Sequence, residues 1–227
     1  MAVFPRRLQL GAFDQVHDGW LSTDITPHLF VARVPGLARL LHRLGVLNAD
    51  RYATHRSGAF RAVRYLDVSR RFRFPDGTFE CVYSGHMLEH LDRGVAERCL
   101  REVHRVLMDG GILRLAVPDL DSEIAAYDPA DPDRFLRGIY EGISERRTRA
   151  SQHRWQYNAT SLERLLDHVG FRQIEVCEYQ VGRCPDLEKI EFRVGSLFVE
   201  AVKLNEKSLA FCDTEVARRG RGHARSH

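Results

Sequence analysis

The sequence predicts an α/β protein with a mostly parallel sheet and helices on both faces, and three observations point to this fold class. Residues 74–120 read as a strand, an amphipathic helix, a Gly-Gly turn and a second strand, which make a βαβ unit. Short apolar strands that end in polar residues precede this unit. Two later strands, 171–179 and 196–203, are predicted to form an antiparallel hairpin at one edge of the sheet.

The other strands are predicted where short apolar runs turn polar, at residues 7–10, 20–25, 63–68, 80–84 and 112–117. The link between the first two is short for a helical crossover, so it is either a single helical turn or a compact loop. Helices are predicted over 35–47, 93–107 and 160–169, with glycines at 110 and 170 ending the last two. Residues 48–57 are polar and read as a loop, and 119–144 read as helical in pieces.

Composition limits the function classes. The 227 residues suit one domain, expected over 1–204, followed by an extension over 205–227 that ends in a basic tail. The net charge is only +3, and four arginines lie in that tail, so no extended nucleic-acid surface is expected. Five cysteines without paired spacing, and no long apolar run, favour a protein of the reducing cytoplasm without a membrane span.

Polar residues at the ends of three strands form the candidate site. Gly11 follows the first strand, Asp24 ends the second and Asp67 ends the third. In open α/β sheets ligands bind at the carboxyl ends of the strands. A nucleoside suits this set, because glycine lets the backbone approach it, Asp24 can accept the ribose hydroxyls, and Asp67 with the Val68 N–H can bind adenine.

The chain resembles the class I S-adenosylmethionine-dependent methyltransferases of the type 11 group, and more closely the short bacterial ones associated with sugar and surface-glycan biosynthesis. The resemblance rests on residues 8–25, 74–91, 100–120, 153–158, 165–171 and 196–203. It implies a Rossmann-like fold with a seven-stranded sheet in the order 3-2-1-4-5-7-6. It also implies that S-adenosylmethionine contacts Gly11, Asp14, Asp24, Ile25, Asp67, Val68, Ser84 and Gly85.

Two features depart from the family pattern. Phe13 stands where the first turn usually has a second glycine, and its side chain could crowd the cofactor. Residues 27–64 form an insertion between the second and third strands. We expect the insertion to cap the cofactor or the acceptor site, or to make a homodimer contact.

The His86–Glu89–His90 spacing is also that of an inverted zinc motif. In the family the Glu-His pair recurs without metal, as a hydrogen-bonding element beneath the cofactor. The expectation is therefore a packing role for Glu89 and His90 and no metal site.

Acceptor-binding residues are expected after the fifth strand, where His153, Trp155 and Tyr157 lie. An imidazole can take a proton from a hydroxyl acceptor, so the candidate catalytic groups are His153, His86 and Asp119. We therefore expect methyl transfer to a small-molecule or sugar acceptor, at oxygen. The alternative is a catalytically degenerate methyltransferase fold that acts as a binding or scaffold partner. A nicotinamide-dependent oxidoreductase is a poorer match, because GxGxxG is absent.

Overall fold

The computed structural model describes residues 5–140 and 152–205, and within them a single seven-stranded sheet dominates the molecule. The strands are β1 (Arg7–Leu10), β2 (Trp20–Asp24), β3 (Arg64–Tyr65), β4 (Phe79–Gly85), β5 (Leu107–Pro118), β6 (Arg172–Cys177) and β7 (Ser196–Val202). Their order is β3-β2-β1-β4-β5-β7-β6, with β1 to β5 parallel and β7 antiparallel to both of its neighbours. The predicted fold class, strand order and edge hairpin are confirmed.

Nine α-helices are assigned in the described residues. They are α1 (His28–Arg33), α2 (Leu37–Arg43), α3 (Ala49–Ser57), α4 (Ala59–Ala62), α5 (Arg93–Val106), α6 (Leu120–Ala125), α7 (Pro132–Tyr140), α8 (Ala159–Val169) and α9 (Leu187–Ile190). A 3-10 turn, Leu88–His90, lies between β4 and α5. None of the described helices is both long and apolar enough to serve as a membrane span.

The core has a main layer on one face of the sheet and a smaller layer on the other. Alternate side chains of a strand point to opposite faces, so Leu8 and Leu10 enter the main layer while Gln9 between them does not. Apolar side chains of α5 and α8 cover that main layer. Trp20 of β2 belongs to the smaller layer together with residues of α9, which places helices on both faces.

A buried ion pair anchors the segment between β6 and β7 to the sheet. Arg114 of β5 and Glu191 at the end of α9 are both fully buried, and their Nε and Oε1 atoms are 2.7 Å apart. Glu200 of β7 lies 3.6 Å from the same guanidinium and accepts the N–H groups of Arg183 and Cys184. The network crosses three elements, so it joins the α9 segment to strands β5 and β7.

Several element predictions are wrong in instructive ways. The polar segment 48–57, read as a loop, is helix α3. Its start is stabilised by the Asn48 side chain, which accepts the Arg51 N–H at 2.8 Å, and Gly58 ends it at φ +85°. Only one residue of α3 is buried, His55, so no apolar periodicity marks the helix in the sequence.

The helix predicted over 35–47 is shorter, and its leucines do not face the core. No residue of α2 is buried, and Leu40 and Leu44 are 52% and 66% exposed.

Other boundaries also differ from the prediction. Gly110 does not end helix α5, which stops at Val106; it lies within β5 at φ +78°. The third strand is only two residues long, and the link from β1 to β2 is a compact loop without a helix. The basic tail lies outside the described residues.

Candidate functional site

The turn after β1 is tightly packed. Gly11 has φ +68°, and a Cβ at this position would lie 2.7 Å from the Cβ and Cγ atoms of Met87. Only glycine therefore fits here. Leu10 pairs with Ser84 of the neighbouring strand β4, which brings the turn beside the end of β4.

Phe13, the residue that departs from the family pattern, points its ring toward the insertion. The ring meets His28 and Phe60 edge-on, with centroids 5.9 and 5.6 Å apart, and the Arg51 guanidinium lies 4.5 Å from its centroid. Asp14 joins the same contact, because its Oδ2 pairs with Arg51 Nη1 at 2.9 Å. The predicted cofactor residue Asp14 is thus paired with α3, and the Phe13 ring packs against the insertion helices.

Asp24 ties the end of β2 to the first turn. Its Oδ2 accepts the Phe13 N–H at 2.9 Å, and its Oδ1 accepts the Thr26 N–H at 2.6 Å. Each carboxylate oxygen has a further lone pair that can accept a ligand hydroxyl. Ile25, the next residue, is 57% exposed at the same edge.

Asp67 lies on the adjacent strand end. The Leu66 N–H donates to the Asp24 carbonyl at 3.0 Å, which extends the pairing of β2 and β3 up to this point. Asp67 Oδ1 accepts the Ser69 hydroxyl at 2.6 Å and the Ser69 N–H at 3.0 Å, and Arg70 lies 3.0 Å from Oδ2. The Ser69 hydrogen bond is the main reason that the pKa of Asp67 is lowered, with Arg70 adding to it, so this carboxylate is charged at neutral pH. Val68, between Asp67 and Ser69, is partly buried against the core.

Ser84 and Gly85 end β4 at the centre of this edge. Ser84 is 2% exposed, and its hydroxyl has no hydrogen-bond partner within the described part of the chain. A Cβ at Gly85 would lie 2.5 Å from the Tyr83 hydroxyl oxygen, so a larger residue there would have to displace the Tyr83 ring. An orphaned buried hydroxyl between the Gly11 turn and the end of β4 fits a polar ligand at this edge.

The catalytic candidates His86 and His153 meet at one buried carboxylate. His86 Nδ1 lies 3.3 Å from Glu89 Oε1, and its Nε2 lies 2.9 Å from the Ser196 hydroxyl. His153 stacks edge-on with His90 at a centroid distance of 5.0 Å. Burial lowers the pKa of His153, while the Glu89 carboxylate acts in the opposite direction. The imidazole is thus neutral at physiological pH and able to accept a proton.

Asp119 is placed differently. Its Oδ2 accepts the Ser122 hydroxyl at 2.6 Å and its Oδ1 accepts the Asp121 N–H, so it caps α6. The backbone of Asp119 forms an isolated β-bridge with Tyr157. Tyr157 is buried, and its hydroxyl has no partner in the described regions. Asp119 was predicted as an alternative base, and in the structure its carboxylate also caps α6.

A cleft of about 260 Å³ lies beside His153 and includes Leu120, Tyr140 and Trp155 in its lining. The segment that carries His153 is held in place by backbone hydrogen bonds, because the Arg154 and Trp155 N–H groups both donate to the Glu89 carbonyl. The sequence marked Glu89 through its HxxEH spacing, whereas nothing in the sequence marked Met87 as the residue that packs against Gly11.

Comparison with known proteins supports a methyltransferase. A family model described as "Methyltransferase domain" matches residues 28–176. Membership of this family supports S-adenosylmethionine as the cofactor. No curated protein matches the chain.

Three solved structures illustrate the similarity. The CurJ carbon methyltransferase is 15% identical over 88% of this chain and 48% of its own, with a TM-score of 0.47. A possible histamine N-methyltransferase from Thermotoga maritima is 13% identical over 87% of this chain and 82% of its own, with a TM-score of 0.48. A Haemonchus contortus N-methyltransferase, complexed with phosphomonomethylethanolamine and S-adenosylhomocysteine, is 13% identical over 90% and 50%, with a TM-score of 0.46. The chain thus spans about half the length of the first and third of these proteins.

Proposed function

The chain belongs to the methyltransferase domain family, and we propose that it transfers a methyl group from S-adenosylmethionine to a hydroxyl oxygen of a small-molecule or sugar acceptor. The observation that carries the proposal is the convergence of Gly11, Asp24, Asp67 and Ser84 at one edge of the sheet. Within the family we place the chain with the type 11 group and its sugar and surface-glycan enzymes, on the motifs of residues 74–120.

The residues at this edge fit a nucleoside. The free lone pairs of Asp24 suit two ribose hydroxyls, and the charged Asp67 suits the adenine amino group, with the Val68 N–H beside it. The unpartnered Ser84 hydroxyl suits a polar group of the methionine portion. S-adenosylmethionine supplies an electrophilic methyl group on a sulfonium sulfur when it is bound.

The acceptor side is the cleft next to His153. A hydroxyl acceptor must lose its proton as its oxygen forms the new bond to carbon. The neutral imidazole of His153, which lines the cleft, can take that proton, and His86 also lies against Glu89. Asp119, which caps α6, is the third group proposed for this role. Orientation of the hydroxyl by the cleft supplies the remaining contribution to the rate.

The experiment is a labelling assay. The chain is incubated with S-adenosylmethionine carrying a labelled methyl group and with a panel of sugars and small phenols or alcohols. Label should appear in an ether product and be lost in Ser84→Val, while Ser57→Val, at the exposed end of α3, should keep the activity. Label that appears only in amines or in carbon-linked products would contradict methylation at oxygen.

A scaffold role is the second candidate, and a specific feature favours it. Phe13 replaces the family's second glycine, and Met87 packs directly on Gly11. Titration calorimetry with S-adenosylhomocysteine separates the two functions. Heat that fits one site supports the enzyme, whereas a folded chain that gives no heat at high micromolar ligand supports the scaffold.

We further propose a homodimer that forms through the insertion, in a reducing cytoplasmic setting. Leu40, Leu44 and Val46 are each more than half exposed on this insertion, and such apolar surface favours association. The Sγ atoms of Cys81 and Cys184 lie 3.2 Å apart as free thiols, which suits a reducing compartment. Sedimentation of Leu40→Glu against the native chain tests the dimer.

A further inference from the structure

Glu89 is a buried carboxylate whose oxygens lack hydrogen bonds within the described part of the chain, with His86 and His90 within 4.0 Å. Its side chain is fully buried, and neither of its carboxylate oxygens makes a hydrogen bond to any residue that the structure describes. A buried charge without a partner is costly, so such groups are normally paired, protonated or bound to a metal. The family role expected for this residue, a hydrogen-bonding element, does not account for two unsatisfied oxygens.

Three histidines surround this carboxylate. One ligand atom from each of Glu89, His90 and His153 lies within 4.8 Å of the other two. His86 Nδ1 is 3.3 Å from Oε1 but makes no hydrogen bond with it. Because His153 is far from the HxxEH motif in the sequence, only the fold brings it to the cluster.

The ring of His90 is already oriented as in a metal ligand. Its Nδ1 lies 3.2 Å from the Gln152 carbonyl oxygen, which can only accept, so Nδ1 carries the proton. Its Nε2, 4.0 Å from Glu89 Oε1, then keeps a lone pair directed to the cluster. A ligating histidine commonly donates its other N–H to a carbonyl in this way.

Neighbouring groups also hold the ring of His153 in place. The Gln156 side-chain amide lies 3.0 Å from His153 Nδ1, and the amide oxygen has no partner among the described groups. The amide nitrogen also donates to the Ile139 carbonyl oxygen at 2.6 Å, which fixes the amide beside the ring. Two backbone hydrogen bonds from Arg154 and Trp155 to the Glu89 carbonyl fix the distance between the two segments.

We propose that Glu89, His90 and His153 bind one divalent transition-metal ion of the zinc type. Two imidazoles and a carboxylate are the donor set of three-ligand zinc sites, which keep a fourth position open. Bonds of about 2.1 Å place tetrahedral ligand atoms about 3.4 Å apart, so small side-chain rotations are enough to close the cluster around an ion. Metal binding would change which group can act as the base in the proposed methyl transfer. It makes His153 a ligand, and it leaves His86 as the imidazole that can take a proton.

The test is a cobalt(II) titration of the tag-free full-length chain after treatment with a chelator, followed by visible absorption. The native chain should bind about one equivalent with the absorption of tetrahedral or five-coordinate cobalt, and zinc(II) should displace it. His153→Asn and Glu89→Gln should each weaken binding about tenfold or more. His104→Asn is the matched control, because this half-buried histidine on α5 packs against Phe171, away from the cluster; it should bind like the native chain.

Circular dichroism establishes which variants are folded, and His90→Asn replaces any variant that is not. Absence of stoichiometric cobalt binding to the native chain would overturn the proposal. Equal binding by the native chain and the folded ligand variants would overturn it too, because the ion would then lie elsewhere.

Discussion

Asp24 has two roles at the residue scale, because it supports the first turn and faces the proposed ligand. Its two oxygens already accept the N–H groups of Phe13 and Thr26. The sequence predicted the ligand role but not the structural one, since a carboxylate at a strand end carries no sign of which backbone groups it will meet.

Replacement of Asp24 by alanine should therefore weaken cofactor binding. Loss of charge-assisted hydrogen bonds to ribose should reduce the affinity for S-adenosylhomocysteine by about 1–3 kcal/mol, or roughly 5- to 150-fold. Titration calorimetry measures this, with Asp18→Ala, an exposed acid in the loop before β2, as the control. An unchanged affinity in folded Asp24→Ala would count against this assignment.

Alanine substitutions at Gly11 and Gly36 can separate the steric cost of a side chain from the cost of a positive φ. Gly11 and Gly36 both have positive φ, but only Gly11 has Met87 where a Cβ would go, while Gly36 has open space. Gly36→Ala should cost about 1 kcal/mol of unfolding free energy, and Gly11→Ala about 2–4 kcal/mol. Urea denaturation gives both values. Equal losses at the two positions would mean that Met87 moves aside freely.

At the scale of elements, the α9 segment should depend on its buried ion pair. Glu191→Ala leaves Arg114 charged and poorly paired in the core, and should cost about 3–5 kcal/mol of unfolding free energy. Glu188→Ala, on the exposed side of the same short helix, should cost less than about 0.5 kcal/mol. Thermal and urea unfolding of both variants tests this. A small loss in Glu191→Ala would mean that Glu200 alone can neutralise Arg114.

Some elements could be predicted closely from the sequence and others could not. Helices α5 and α8 were predicted to within a residue at either end, because Cys99, Val103 and Leu162 belong to clear apolar stripes that face the sheet. Helix α3 has no such stripe, and its ends are set by the caps Asn48 and Gly58. A polar stretch of sequence does not show that such residues act as caps. The leucines of α2 have helical periodicity, but periodicity does not say whether a face meets the core or solvent.

Part of the site was also predictable from the sequence, because of how parallel strands are arranged. Parallel strands bring their carboxyl ends to one edge, so Gly11, Asp24 and Asp67 could be grouped without coordinates. The approach of His153 to Glu89 depends on how the chain returns after β5, and no local pattern encodes that path. Likewise, the contact of Phe13 with Phe60 requires the insertion to fold back on the first turn.

At the scale of the whole molecule, the buried and half-buried histidines predict how stability depends on pH. Burial is the main cause that lowers the pKa of His17, His28, His55, His104 and His153. The folded chain then binds fewer protons than the unfolded chain below the unfolded pKa of about 6.5. The stabilising contribution is complete above that pH and is lost as the pH falls.

The melting temperature should therefore be lower at pH 5 than at pH 7.5. The carboxylates with lowered pKa, among them Asp67 and Glu102, stay charged across this window and do not offset the change. Differential scanning calorimetry at several pH values, at constant ionic strength, measures the trend. A melting temperature that rises as the pH falls through 6 would contradict the neutral, buried state of these histidines.

A crystal structure of the chain with S-adenosylhomocysteine is the decisive test of the proposed cofactor site. We expect the ribose hydroxyls at Asp24, the adenine amino group at Asp67 and the amino-acid portion near Ser84. The space left next to His153 would then outline the acceptor. Density for the ligand at another place, or a sheet edge that stays free of ligand in a crystal saturated with it, would contradict the account.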